Sequence, residues 1–331
     1  MGGFLDYYLS WAGPARRAFA AGYAWSLPAA YASSEAVLVC GMGGSGVAGD
    51  YLASVAGFYG GAPVYVVKGA DVPAWVGRSV LVFAVSFSGN TRETLECARR
   101  AVERGARVAA VTTGGRLAVW ARERGLPVAI VEEAPAPRAG WPQLFYTLLG
   151  AAAGAGLVYA PRADVEESLS LLENRERVEG DAERLARIAA EAGSLLVAVA
   201  PEPYAAVARR LGSEFAENAK RLVVPAELPE AGHNMLEAWA SSGVTIEFIV
   251  LDPGVEPWSG LLAEALGLAR PAALHRFVLE GSSPLAKLVW GTWLAGVASV
   301  RAALLRGVDP EKLTAVKSFR AVVEKVTRWG A

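Results

Sequence analysis

Six consecutive apolar residues, Val80-Leu81-Val82-Phe83-Ala84-Val85, run straight into Ser86-Phe87-Ser88-Gly89-Asn90-Thr91. An uninterrupted, largely β-branched run of this length reads as a strand buried on both faces, the mark of a parallel sheet covered by helices. A helix then starts, with Asn90 or Thr91 as N-cap and Glu93 in its first turn. This order also makes an anion site. Backbone N–H groups and the positive end of a helix dipole face one way, and the hydroxyls of Ser86, Ser88 and Thr91 add donors. A plain capping turn needs one or two hydroxyls, so the surplus favours a phosphate dianion.

The same grammar recurs along the chain. Ala36–Cys40 is a strand, followed by Gly41-Met42-Gly43-Gly44-Ser45-Gly46 and a helix to about Phe58. Further strands are expected at 63–67, 107–112 and 127–131, with helices at 91–104 and 117–124 between them. A Pro-rich segment, Glu132 to Pro142, closes this set. After helices near 164–178 and 182–192 the alternation restarts, with strands at 194–199, 222–224, 244–251 and 273–278. Helices are expected at 203–220, 235–240 and 258–266. Two long helices, 284–305 and 310–328, end the chain, the second opened by Asp309 as N-cap and Pro310 at N1. The reading is α/β: two doubly wound parallel-sheet domains, residues 1–155 and 156–331.

Gly41–Gly46 also satisfies G-x-G-x-x-G between a strand and a helix, a dinucleotide fingerprint. A nicotinamide site needs an acidic residue about 20 positions on to hold the ribose. Here Val66-Val67-Lys68 stands there, with no carboxylate before Asp71. NAD is disfavoured, while NADP with Lys68 on its phosphate stays open. The glycines and Ser45 equally suit close approach of a small polar ligand. Both turns follow strands of one parallel sheet, so both belong to its carboxyl edge, where such sheets bind ligands.

With a net charge of −1 in 331 residues, the chain offers no basic face for nucleic acid. There are 26 Arg against 6 Lys, one Gln and four Asn. Sparse amides fit a heat-adapted source, and GC-rich coding would produce the same bias. Cys40 and Cys97 form no framework; the simplest reading is two buried thiols, and a disulfide between them, as occurs inside hyperthermophiles, stays open. The N-terminus has no basic n-region and an early acid, so no signal peptide is expected. Leu144–Ala160 is uncharged but short of a span and broken by three glycines, which reads as a buried helix. A soluble, cytoplasmic protein with no membrane partner is expected.

Taken together, the two turns resemble the sugar isomerase (SIS) fold. Glu214-Phe215-Ala216-Glu217-Asn218-Ala219-Lys220, Leu228-Pro229-Glu230-Ala231-Gly232-His233-Asn234 and Ala136-Pro137-Arg138-Ala139 narrow the resemblance to the archaeal bifunctional phosphoglucose/phosphomannose isomerases, in matching order over nearly the whole chain. It implies two SIS domains of Rossmann-like, flavodoxin-like winding and a homodimer with shared active sites. The implied reaction is aldose–ketose isomerisation of a hexose 6-phosphate, without metal or cofactor. Glu217 would be the base moving the proton between C1 and C2. His233, from the partner subunit, would assist ring opening, Lys317 would lie near the ring oxygen, and Arg138 would stabilise the enediolate. Gly44, Ser45, Ser86, Ser88 and Thr91 would hold the phosphate and neighbouring hydroxyls. The link Arg306-Gly307-Val308-Asp309-Pro310 to the lysine is about three residues shorter than the family's. The family threonine associated with mannose 6-phosphate has Thr314 as its nearest counterpart.

On their own terms the same residues admit plainer readings. Glu217 and Lys220 could be an i,i+3 pair on a surface helix. His233 precedes Asn234, which can cap the next helix with Glu237 in capping-box fashion. His275 reads as a satisfied core histidine, Arg138 as a solvated loop residue or one folded over the sheet edge toward an anion, and Lys317 as solvent-exposed. Neither His-x-x-x-His nor paired Cys is present, so a zinc site is not expected. Other SIS activities on amino-sugar or heptose phosphates, a non-catalytic sugar-phosphate sensor and a dehydrogenase are the alternatives.

Overall fold

The computed structural model describes residues 3–241 and 243–327. They divide into two units. One comprises Trp11–Arg162 together with residues from Leu313 onward. The other joins the residues up to Ser10 to Ala163–Lys312.

The first unit is built on a five-stranded sheet. Strands β1 (Ala36–Cys40), β2 (Val64–Val67), β3 (Val80–Val85), β4 (Arg107–Thr112) and β5 (Val128–Ile130) lie in the order β2-β1-β3-β4-β5. Every pairing is parallel, with Leu38 opposite Val82 and Val82 opposite Val108. Strand β3 is buried at each position, as its unbroken apolar run requires. Leu38, Val82 and Val108 share a core with Leu95 and Ala98 of the helix Arg92–Glu103. The chain leaves β1 for one edge and returns to the other side with β3, so the turns after these two strands flank the topological switch point.

The second unit repeats this winding with β6 (Leu195–Pro201), β7 (Val223–Leu228), β8 (Ile246–Asp252) and β9 (Ala273–Val278), ordered β7-β6-β8-β9 and again wholly parallel. The expected α/β class, two doubly wound parallel sheets, is what the chain adopts. Strand β7 outruns its expected end at 224 because Pro225 sits on an edge strand, where a missing N–H costs no ladder bond.

The last helix begins at Thr314, not at Pro310. Asp309 spends its carboxylate on the N–H of Glu311 at 2.8 Å, a local turn that replaces the expected N-cap. The helix is described to Val326, and its expected end at Arg328 lies outside the described residues. The uncharged stretch 144–160, expected as a buried helix, is one only as far as Gly154, in the helix Trp141–Gly154, and residues 155–160 are not helical. Pro284–Leu305 is long and apolar enough to span a bilayer, yet it is largely buried within the protein. Cys40 and Cys97 are not free thiols but a disulfide, joining the end of β1 to the helix Arg92–Glu103.

Candidate active site

The glycine turn is a close-packed device. Helix Gly43–Tyr59 starts immediately after β1, and a Cβ on Gly46 would stand 2.6 Å from the carbonyl oxygen of Gly41. Only glycine lets the helix begin this near the strand. Gly44 lies in its first turn and Ser45 follows, its hydroxyl accepting the main-chain N–H of Phe87 at 3.2 Å. One hydrogen bond thus ties the turn after β1 to the turn after β3.

In the second turn the Ser86 hydroxyl, buried, bonds to Oγ1 of Thr91 at 3.0 Å. Ser88 is exposed, and its hydroxyl accepts the N–H of Asn90 at 3.2 Å. Thr91 is the N-cap of Arg92–Glu103. Gly89, at φ +65°, completes the turn, and a Cβ there would collide with the carbonyl oxygen of Gly114. The five expected phosphate-side residues therefore converge on one sheet edge, at a helix N-terminus with neutral hydroxyls turned toward it. That is chemistry for an anion.

Arg138 is 3% exposed, which rules out the solvated-loop reading. Its segment lies against the second turn, since a Cβ on Gly140 would meet the Phe87 ring at 2.2 Å. Arg138 is thus carried by a segment packed on the turn Ser86–Thr91. Lys317 is exposed on helix Thr314–Val326, where Thr314 is the first residue. That helix is tied to the start of Arg92–Glu103 by the Arg92–Glu324 ion pair at 2.7 Å.

In the second unit, Glu217 lies on a π turn, Phe215–Ala219, that ends the helix Ala205–Glu214. The helix is largely buried rather than a surface element, and Glu217 is half-buried. The ammonium of Lys220 donates to Glu217's carbonyl oxygen at 2.6 Å, closing the helix end. His233 is exposed at the end of a short 3-10 turn, Glu230–His233. Asn234 accepts the N–H of Met235 at 2.6 Å and donates to Glu230 at 2.6 Å. Glu217 precedes the amino end of β7 and His233 follows its carboxyl end. The six strand residues between place them about 20 Å apart along the chain.

His275 is satisfied, its Nε2 lying 2.7 Å from Glu247 Oε2, but it sits half-buried on an edge strand rather than in a core. Hydrogen bonds from Ser194 and then His275 hold the Glu247 carboxyl below the usual range. At the carboxyl end of β8, Asp252 is buried and accepts from the Gly254 N–H (2.7 Å), the Ser259 hydroxyl (2.6 Å) and Arg276 Nε (2.6 Å). Burial pushes its carboxyl up, but these donors outweigh that and keep it low. Among the described residues no cluster of three or more His, Cys, Asp or Glu side chains is arranged to hold a metal ion.

The sequence signals did not reveal Glu214, Asn218, Arg210 and Tyr8, which lie buried beneath the π turn. Only the adjacency of Glu214 and Asn218 to Glu217 could have pointed to them.

Comparison with known proteins gives two family matches. Residues 178–323 match the model of a bacterial phospho-glucose isomerase C-terminal SIS domain, and residues 30–136 the model of the SIS domain. A bifunctional phosphoglucose/phosphomannose isomerase of Aeropyrum pernix is 34% identical over 95% of this chain and 96% of its own. A D-glucosamine-6-phosphate 4-epimerase of Sulfolobus acidocaldarius is 28% identical over 87% of this chain and 89% of its own. Among solved structures, tagatose-6-phosphate ketose/aldose isomerase from Escherichia coli superposes with a TM-score of 0.68 at 14% identity, covering 93% of this chain and 92% of that one. At that identity the likeness speaks to fold alone.

Proposed function

The chain belongs to the SIS-domain phosphosugar isomerases, and from that premise we propose that it interconverts fructose 6-phosphate with glucose 6-phosphate, mannose 6-phosphate or both, without metal or cofactor. The observation that carries the reading is the pair of turns joined by Ser45 and Phe87, a hydroxyl-lined helix N-terminus at the switch point of a parallel sheet. There Gly44, Ser45, Ser86, Ser88 and Thr91 hold the phosphate ester. Glu217 takes the proton from C2 of the open aldose and returns it to C1, while the hydroxyl proton moves from O2 to O1. Arg138 stabilises the negative charge that builds on the enediolate oxygens. Lys317 and His233 serve ring opening.

Glu217 and His233 stand at opposite ends of β7. This supports a homodimer in which each copy's histidine serves its partner's substrate. The test is a coupled assay of fructose 6-phosphate isomerisation in EDTA, with the Glu217→Gln variant alongside. Activity that survives chelation and is lost in the variant is expected, and full activity in the variant refutes the assignment. The epimerase relative favours a second reading, action on an amino-sugar phosphate, which glucosamine 6-phosphate in the same substrate panel decides.

A further inference from the structure

The helix carrying Glu217 does not end as an α-helix. Ala205–Glu214 is α-helical, Phe215–Ala219 is a π turn, and the N–H groups of Lys220 and Arg221 both reach back to the carbonyl of Phe215. Such single π turns concentrate at functional sites. In a continued α-helix, residues three apart share a face, so Glu217 would lie on the buried side beside Glu214. The extra residue of the π turn rotates it away, in keeping with a half-exposed Glu217 between buried Phe215 and Asn218.

Beneath the turn lies a polar cluster closed off from water. Glu214 is 1% exposed, and its Oε2 accepts from the Tyr8 hydroxyl at 2.9 Å and the Asn218 amide at 2.8 Å. Its other oxygen pairs with Arg210, itself 1% exposed. The Asn218 amide also donates to the Ser299 hydroxyl at 2.9 Å, and Ser299 donates onward to the Gly296 carbonyl at 2.8 Å. Tyr8 is fixed in turn by Trp293, whose indole N–H donates to its carbonyl at 2.8 Å. Buried ion pairs rarely stabilise more than an apolar replacement of equal volume would. Buried hydrogen-bonded clusters of this kind do fix one geometry.

We propose that Glu214 and Asn218 are positioning residues: their hydrogen bond, anchored by Arg210, Tyr8 and Ser299, holds the last turn in the π form and so aims the Glu217 carboxylate. The proposal rests on Glu217 being the base. It assigns Asn218 a role in turnover rather than in binding, because the network touches the base's backbone and none of the phosphate-side residues.

Two measurements on the full-length protein test it. In the isomerase assay, Asn218→Ala is expected to lower kcat about 30-fold while KM stays within about twofold, the signature of a misaimed group. By hydrogen–deuterium exchange without substrate, the amides of Lys220 and Arg221 are expected to exchange at least about tenfold faster, with helix Gly43–Tyr59 unchanged. Ser299→Ala, which removes a single anchor, should move both in the same direction by about threefold and carries the test should Asn218→Ala not fold. Unchanged exchange at the two amides overturns the proposal whatever the activity, and so does faster exchange with an unaltered kcat or, in Ser299→Ala, a loss of protection across the whole chain. If Glu217→Gln keeps full activity, the assignment of the base fails separately, and with it the aim of the turn, whatever exchange shows.

Discussion

The hydroxyl of Ser45 accepts the main-chain N–H of Phe87 at 3.2 Å, across 42 residues of sequence. With that lone pair engaged, the hydroxyl keeps its own hydrogen to donate outward. Ser45→Ala would leave a buried N–H unsatisfied, at a cost of about 1–3 kcal/mol, and would loosen both turns together. The expected outcome is a lower midpoint in urea and a raised KM for fructose 6-phosphate, with kcat less affected.

Gly89 tolerates no side chain. At φ +65° it occupies backbone space that L-residues avoid, and a Cβ would overlap the carbonyl of Gly114. Gly89→Ala should destabilise by more than the roughly 1–3 kcal/mol of backbone strain alone and abolish sugar-phosphate binding. Thermal unfolding and calorimetric titration measure the two effects.

Glu217→Gln keeps size and hydrogen-bonding capacity but cannot take a proton. Its expected effect is a fall in kcat of about 10²–10⁴-fold, typical of general-base removal, with KM nearly unchanged. Exchange of the substrate's C2 hydrogen with solvent, followed by NMR, should fall in parallel.

Stability is expected to depend on acid through Glu96. Its buried carboxylate accepts from Arg99 at 3.0 and 2.8 Å and from Arg100 at 2.7 Å, and the Arg99 bond is the chief reason its pKa is lowered. A depressed folded-state value means the contribution is present above the unfolded carboxyl's pKa, about 4.3, and is lost as pH falls through the folded value. Urea midpoints should therefore drop below about pH 4, and Glu96→Gln should flatten that slope.

The Cys40–Cys97 disulfide spans a sequence separation of 57 residues. Loop-closure entropy for that length corresponds to about 4 kcal/mol, with about 2–4 typical in practice. Cys97→Ala should lower the unfolding temperature accordingly, read by calorimetry under oxidising conditions.

Much of the architecture was legible because parallel strands announce themselves: β3 is apolar at every position, and the turns after β1 and β3 consist of residues with few other uses. What escaped depends on distant partners. Arg138 is buried, on a segment whose Gly140 packs on Phe87, which local composition cannot report. The segment Glu214–Lys220 has ordinary helical spacing. Its π turn is accompanied by Asn218 bonds to Tyr8 and Ser299, 210 and 81 residues away. The pairing of Cys40 with Cys97 is equally a matter of tertiary contact, since their spacing matches no motif.

Asp252 gives the repeated winding an unequal outcome. In the five-stranded sheet the turn after β3 meets its own N–H groups with neutral hydroxyls and a carbonyl. In the four-stranded sheet the turn after β8 closes on a carboxylate that the chain itself supplies, already gripped by an amide, a hydroxyl and a guanidinium. On the proposed function, one half recruits its counter-charge from solution while the other arrives neutralised. Equilibrium dialysis should accordingly count one sugar phosphate per polypeptide, despite two sheets of the same pattern.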